Sequence, residues 1–135
     1  MNLRLYKKEK LCSATAIDAL FAPGGGAQRA MGFPIRAVWR ENQRRHADCP
    51  QFLIMVPKKR LRHAVDRVAM RRRIREAYRL NRHLFPSDRR LDIAFIYVAS
   101  ELRPYADVER GMTRVLTSIA RSLRSDETPQ TPLAL

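Results

Sequence analysis

Residues 58–85 read "KKRLRHAVDRVAMRRRIREAYRLNRHLF". Eleven of these twenty-eight residues are basic, yet the few apolar ones are spaced as on a helix. If residues 65–84 form one helix turning about 100° per residue, Met70, Ile74, Ala77, Tyr78 and Asn81 fall within one arc of about 100°. That arc must pack on something, so the segment is part of a folded body and not a basic tail. Arg71, Arg72, Arg75, Arg79 and Arg82 fall within a second arc of similar width beside it. Arg67 lies near the apolar edge, where its stem can snorkel across the core boundary, and Arg73 lies on the opposite side. A solvated amphipathic helix accounts for the periodicity but not for five arginines on one flank. Like charges at i,i+4, such as Arg71/Arg75 and Arg75/Arg79, destabilise an isolated helix by about 0.2–0.5 kcal/mol per pair. A phosphate backbone would relieve that repulsion. Lys58, Lys59, Arg60 and Arg62, just ahead of the helix, can meet the same backbone.

The whole chain supports that direction. It has 135 residues, room for one domain, and a net charge of +14. Residues 56–90 hold thirteen basic and three acidic residues, which supplies +10 of that total. Such localisation favours a polyanionic partner over a merely solubilising surface. Arginine outnumbers lysine 22 to 5, and its planar fork suits phosphate. Cys12 and Cys49 show no CxxC or histidine pattern, so neither a disulfide framework nor a zinc site is expected. No apolar run is long enough to span a bilayer and the start of the chain has no secretory pattern, so the expected compartment is the cytoplasm.

Along the chain, "CSATAIDALF" reads as a short helix capped at Ser13 or Thr15 that buries Ile17, Leu20 and Phe21. "APGGGAQ" ends it as a flexible turn, with no Gly-Lys-Ser/Thr to make a phosphate loop. "FPIRAVWRE" and "QFLIMVP" read as two adjacent strands joined by the polar hairpin connection "NQRRHADC". "LDIAFIYVAS" is the strongest strand signal and is expected in the middle of the sheet. Pro104 opens a last helix with Tyr105, Val108, Met112, Val115, Leu116 and Ile119 as its core stripe. The domain is expected over residues 1–124, with 125–135 a flexible tail. Single-stranded recognition often pairs a basic groove with aromatic platforms, and Phe21 and Trp39 are the candidate rings, although the default place for each is the core.

"VPKKRLRHAVDRVAMRRRIREAYRLN", residues 56–81, resembles the signature of the protein component of bacterial ribonuclease P: a strand ending in Lys-Lys, a link to Ala-Val, then a helix with Arg-Asn-Arg and Arg-Glu-Ala-Tyr. Lys58, Lys59, Ala64, Val65, Arg67, Arg71, Arg72, Arg75, Glu76, Ala77 and Tyr78 carry the match, and the likeness extends over about residues 5–122. Where the family has Arg-Asn-Arg, this chain has Arg67-Val68-Ala69. If those positions meet RNA, binding is weaker or Arg72, Arg73 and the Lys58–Arg62 cluster compensate.

The resemblance implies an α/β (α+β) two-layer sandwich, a mixed sheet of about four strands packed against helices with a left-handed βαβ crossover, similar to the second domain of ribosomal protein S5. It implies a subunit of the tRNA 5′-processing endonuclease. Its partners would be the ribonuclease P RNA and precursor tRNA, with no obligate protein partner. The RNA contacts would fall at Lys58, Lys59, Arg60, Arg62, Arg67, Arg71, Arg72, Arg75, Arg79 and Arg82. The 5′ leader would lie in a cleft between sheet and first helix at Phe21, Trp39 and Phe52. The sequence offers no acid cluster to hold two metal ions and no histidine paired with a positioned acid. Catalysis is therefore expected in the RNA, with Mg²⁺ bound mainly by it. The alternative is a ribosomal or RNA-chaperone module that uses the same helix without a leader cleft. A stand-alone nuclease would need protein-borne metal ligands, and a helix-turn-helix would need a short partner helix just before residue 65.

Overall fold

The computed structural model of the protein describes residues 11, 14–22, 26–41, 50–84 and 91–127. The elements run α1 (Ala14–Phe21), β1 (Gln28–Gly32), β2 (Ile35–Glu41), β3 (Gln51–Met55), α2 (Ala64–Asn81), a 3-10 turn (Arg82–Leu84), β4 (Leu91–Tyr97) and α3 (Tyr105–Glu127). Cys12, Cys49, the Ser13 cap, the Thr15 side chain, residues 42–49 and residues from 128 on lie outside the described residues. α3 extends past the boundary expected at residue 124.

The four strands form one mixed sheet in the order β1-β2-β4-β3. β4 is central and all seven of its residues are buried, as a continuous apolar run requires when both faces of a strand are covered. It pairs antiparallel with β2 and parallel with β3. The expectation that β2 and β3 are adjacent is therefore corrected. β4 stands between them, and because parallel neighbours need a crossover, α2 carries the chain from β3 to β4. β1 was not expected as a strand. "QRAMG" has no β-branched residue, but it pairs with β2 across the two-residue turn Phe33-Pro34, whose peptide bond is cis.

α2 and α3 cover one face of the sheet. Their core joins Met70, Ile74, Ala77 and Tyr78 to Val108, Met112, Val115, Leu116 and Ile119 over Ile35, Ala37, Trp39, Phe52, Ile93 and Phe95. α1 covers part of the other face, where Leu11, Ala16 and Leu20 pack on Val38, Ala94 and Ile96. Gly32 lets α3 approach β1, since a Cβ there would collide with the Gly111 carbonyl oxygen. Gly111 returns the fit: a Cβ on it would meet the carbonyl oxygen of Phe33 at 2.9 Å. The β1–β2 turn is thus held against α3.

Candidate nucleic-acid interface

The inner face of α2 is fixed by rings. Tyr78 stacks at 4.4 Å from Phe52 and 5.4 Å from Phe95, measured between ring centroids. Asn81 closes the apolar arc by donating to the Ala77 carbonyl at 2.8 Å and to Glu109 of α3 at 3.3 Å. Tyr105 also donates to Glu109, at 3.2 Å. Burial, and then the charge of Glu109, push the Tyr105 hydroxyl up to about 12. With the inner face pinned in this way, the rotation of α2 is set, and with it the direction of every arginine.

Those arginines have different fates. Arg67 Nη1 donates to the carbonyls of Leu61 at 2.9 Å and Arg62 at 2.8 Å. It latches the preceding loop to the helix. That loop is a tight turn on the Pro57 carbonyl, anchored by buried Leu61, with Lys58, Lys59 and Arg62 exposed and Arg60 half-buried. Arg73 donates to the Arg103 carbonyl, tying α2 to the segment before α3. Arg79 makes a two-pronged pair with Glu76, at 2.9 and 2.7 Å. That hydrogen bond holds the Glu76 carboxyl below its usual range.

Arg71, Arg72 and Arg75 have no side-chain hydrogen bond or ion pair among the described residues. Two of the three, Arg72 and Arg75, are exposed, and Arg71 is half-buried. Val68 lies among them, 42% exposed, and Val65 is 79% exposed one turn earlier. The amino end of α2 carries no side-chain cap: His63 is the N-cap residue and makes no such bond. The result is a basic surface from Lys58 to Arg75 whose guanidinium groups at Arg71, Arg72 and Arg75 have no partner among the described residues, with two exposed apolar side chains on it, of which Val68 stands where the family motif has asparagine.

On the sheet, Phe21 ends α1 and is 44% exposed, so it is not the core residue that helix spacing suggested; Ala16 is buried in its place. Trp39 and Phe52 are corrected as cleft residues. They are 1% and 7% exposed and belong to the α2/α3 side of the sheet, opposite α1. Strand alternation explains why: Ile35, Ala37 and Trp39 point one way, and Arg36, Val38 and Arg40 point the other. On the α1 side the register lines up Met31, Arg36, Ile96 and Met55 as one row across all four strands. Met31 and Met55 are exposed there, and Arg36 Nε is buried without a hydrogen-bond partner. Sequence reasoning missed this row. The alternation of "IRAVWRE" contained the signal once the helix-covered face was known.

Among the described residues there is no group of three or more His, Cys, Asp or Glu placed to hold a metal ion, and no helix long and apolar enough to cross a membrane.

The comparisons with known proteins converge. The model of the family described as Ribonuclease P matches residues 5–120. Proteins named ribonuclease P protein component from two strains of Porphyromonas gingivalis are 36% identical over 126 residues, 90% of each chain. The solved RNase P protein of Thermotoga maritima shares the fold at a TM-score of 0.65 and 20% identity, covering 82% of this chain and 96% of that one. The RNase P protein of Staphylococcus aureus does so at 0.66 and 16%, covering 82% and 94%.

Proposed function

The chain belongs to the ribonuclease P protein family, and from that premise we propose how its surfaces divide the work. It is the protein subunit of the ribonucleoprotein that acts with a catalytic RNA on precursor tRNA. The α2 stripe of Arg71, Arg72 and Arg75, continued by Lys58, Lys59 and Arg62, holds the phosphate backbone of the ribonuclease P RNA. The observation that carries this reading is that these three arginines have no partner among the described residues, on a helix whose rotation is fixed by its buried face. Arg67 acts by positioning the loop, and Arg79 and Arg82 flank the stripe. Val68 and Ala69 make the contact here more electrostatic than a stripe with asparagine would be.

The 5′ leader lies against the open part of the sheet beside α1, over Met31, Arg36, Ile96 and Met55, with Phe21 at its edge. Arg36, flanked by apolar side chains, meets phosphate there, and the flat apolar row accommodates bases without a donor–acceptor code, so leader recognition is tolerant of sequence. The protein lowers the repulsion between two RNAs, and Mg²⁺ is held mainly by the RNA that performs the cleavage. The test is the rate of precursor-tRNA cleavage by the cognate ribonuclease P RNA at low-millimolar Mg²⁺, with and without the protein. A protein-dependent rise that disappears when the RNA is omitted is the expected result. No rise, despite tight RNA binding, would overturn it.

A further inference from the structure

The turn between β1 and β2 presents a ring with a cation on it. Phe33 is 50% exposed, and the guanidinium carbon of Arg103 sits 4.8 Å from its centroid. Arg103 is held in that position. Its guanidinium pairs with Glu101 and Asp107, each at 3.5 Å, its carbonyl accepts from Arg73, and its Nε is buried without a hydrogen-bond partner. Two further arginines lie on the adjoining part of α3. The Cβ of Arg114 is packed over Gly32, next in the chain to Phe33, and Arg110 is exposed and pairs with Asp107 at 3.6 Å. Glu101 and Asp107 are each engaged by arginine, so the guanidinium on the ring keeps its surroundings attractive to phosphate.

An aromatic face among cations, with no set of aligned donors and acceptors, suits an unpaired base better than a duplex. The position of the turn selects the strand. It lies at the end of the sheet next to the row of Met31 and Arg36, two and three residues from those side chains. It is also tied to Arg73, which points about 160° around α2 from Arg75. The ring therefore lies away from the stripe that meets the catalytic RNA and at the exit of the surface that meets the leader.

We propose that Phe33, backed by Arg103, is a stacking platform for one unpaired base of the precursor's 5′ leader, beyond the segment that lies on the sheet. This rests on the leader reading given above. It makes affinity depend on leader length with little dependence on which base occupies the platform.

The test uses the holoenzyme assembled from the ribonuclease P RNA and the full chain, and precursor tRNAs with either a long leader that reaches the turn or a short one that stops on the sheet. Phe33→Ala and Phe33→Leu should each weaken binding of the long-leader precursor by about 5- to 150-fold, the range that one base–ring stack supplies. Phe33→Trp should retain it. Binding of the short-leader precursor and of the RNA subunit alone should not change, which also shows that the variants are folded. The platform is overturned if Phe33→Ala and Phe33→Leu match the unsubstituted protein on the long leader, or if the loss is equal on the short one. A loss confined to binding of the RNA subunit also overturns it, because the occupant is then the catalytic RNA. If the unsubstituted holoenzyme ignores leader length altogether, the leader reading falls together with the platform. A silent Phe33 in a length-sensitive holoenzyme removes the platform alone.

Discussion

On the same helix, Arg67, Arg73 and Arg79 are each committed to a partner within the protein, whereas Arg71, Arg72 and Arg75 have none among the described residues. The two sets are identical in chemistry and interleaved in sequence, and what separates them is the acceptor within reach: Arg79 shares the arc of Arg71, Arg72 and Arg75 but is taken up by Glu76. Charge counting treats them alike. The structure shows instead that one set builds the platform on which the other is displayed: Arg67 fastens the basic loop and Arg73 fastens the start of α3. What binds a polyanion is thus a smaller group than the net charge of the segment suggests, and a more rigid one.

The contrast breaks most readily at the buried face that sets the rotation. Ile74→Ala should cost about 2–5 kcal/mol of folding free energy, since Ile74 is fully buried between α3 and the sheet. Arg72→Ala, two residues earlier on the exposed flank, should stay within about 0.5 kcal/mol of the unsubstituted protein. Urea unfolding of the two variants side by side checks this, and equal losses would mean that the outer arginines are structural after all. Next in size, Arg67→Ala should lower stability by about 1–2 kcal/mol, because two carbonyls lose a charged donor, one part-buried and the other exposed. Hydrogen exchange at residues 58–62 should quicken in the same variant.

The smallest effect concerns Glu76 and Arg79. The bond to Arg79 depresses the Glu76 carboxyl in the folded protein, so its contribution is present above the ordinary carboxylate range and is lost as pH falls through the lowered value. Both side chains are substantially exposed, so the contribution is slight and weakens in salt. Glu76→Gln should therefore barely change stability at neutral pH and should flatten the acid limb of the stability curve. It also releases Arg79 toward the free set, and the salt dependence of RNA binding should steepen by up to about 0.9 of a unit if a phosphate takes it up.

How much of this was legible in the sequence differs from element to element. α2 and α3 carry their burial in their periodicity and β4 in its continuous apolar run, and the structure places them as those patterns predict. β1 was hidden because its pairing with β2, and not its side chains, makes it a strand. The order β2-β4-β3 was hidden because strand propensity does not say which strands are neighbours. Trp39 and Phe52 read correctly as strand residues but were set on the wrong side of the sheet, since alternation divides a strand into two faces without saying which one the helices cover. Of the basic residues, the 67/73/79 set could not be told from the 71/72/75 set, because one deciding partner, the carbonyl of Arg103, lies thirty residues from Arg73.

The most direct test is the salt dependence of binding to the cognate ribonuclease P RNA, measured for the unsubstituted protein, for Arg71→Ala/Arg72→Ala/Arg75→Ala, and for Arg67→Ala/Arg73→Ala. If the free set carries the phosphate contacts, the triple variant loses about 2–3 units of slope in log K against log salt, close to one per arginine. The Arg67/Arg73 variant should then keep the slope while losing stability. Equal slopes for the triple variant and the unsubstituted protein, or a larger loss of slope in the Arg67/Arg73 pair, would contradict the assignment of RNA binding to the free flank of α2.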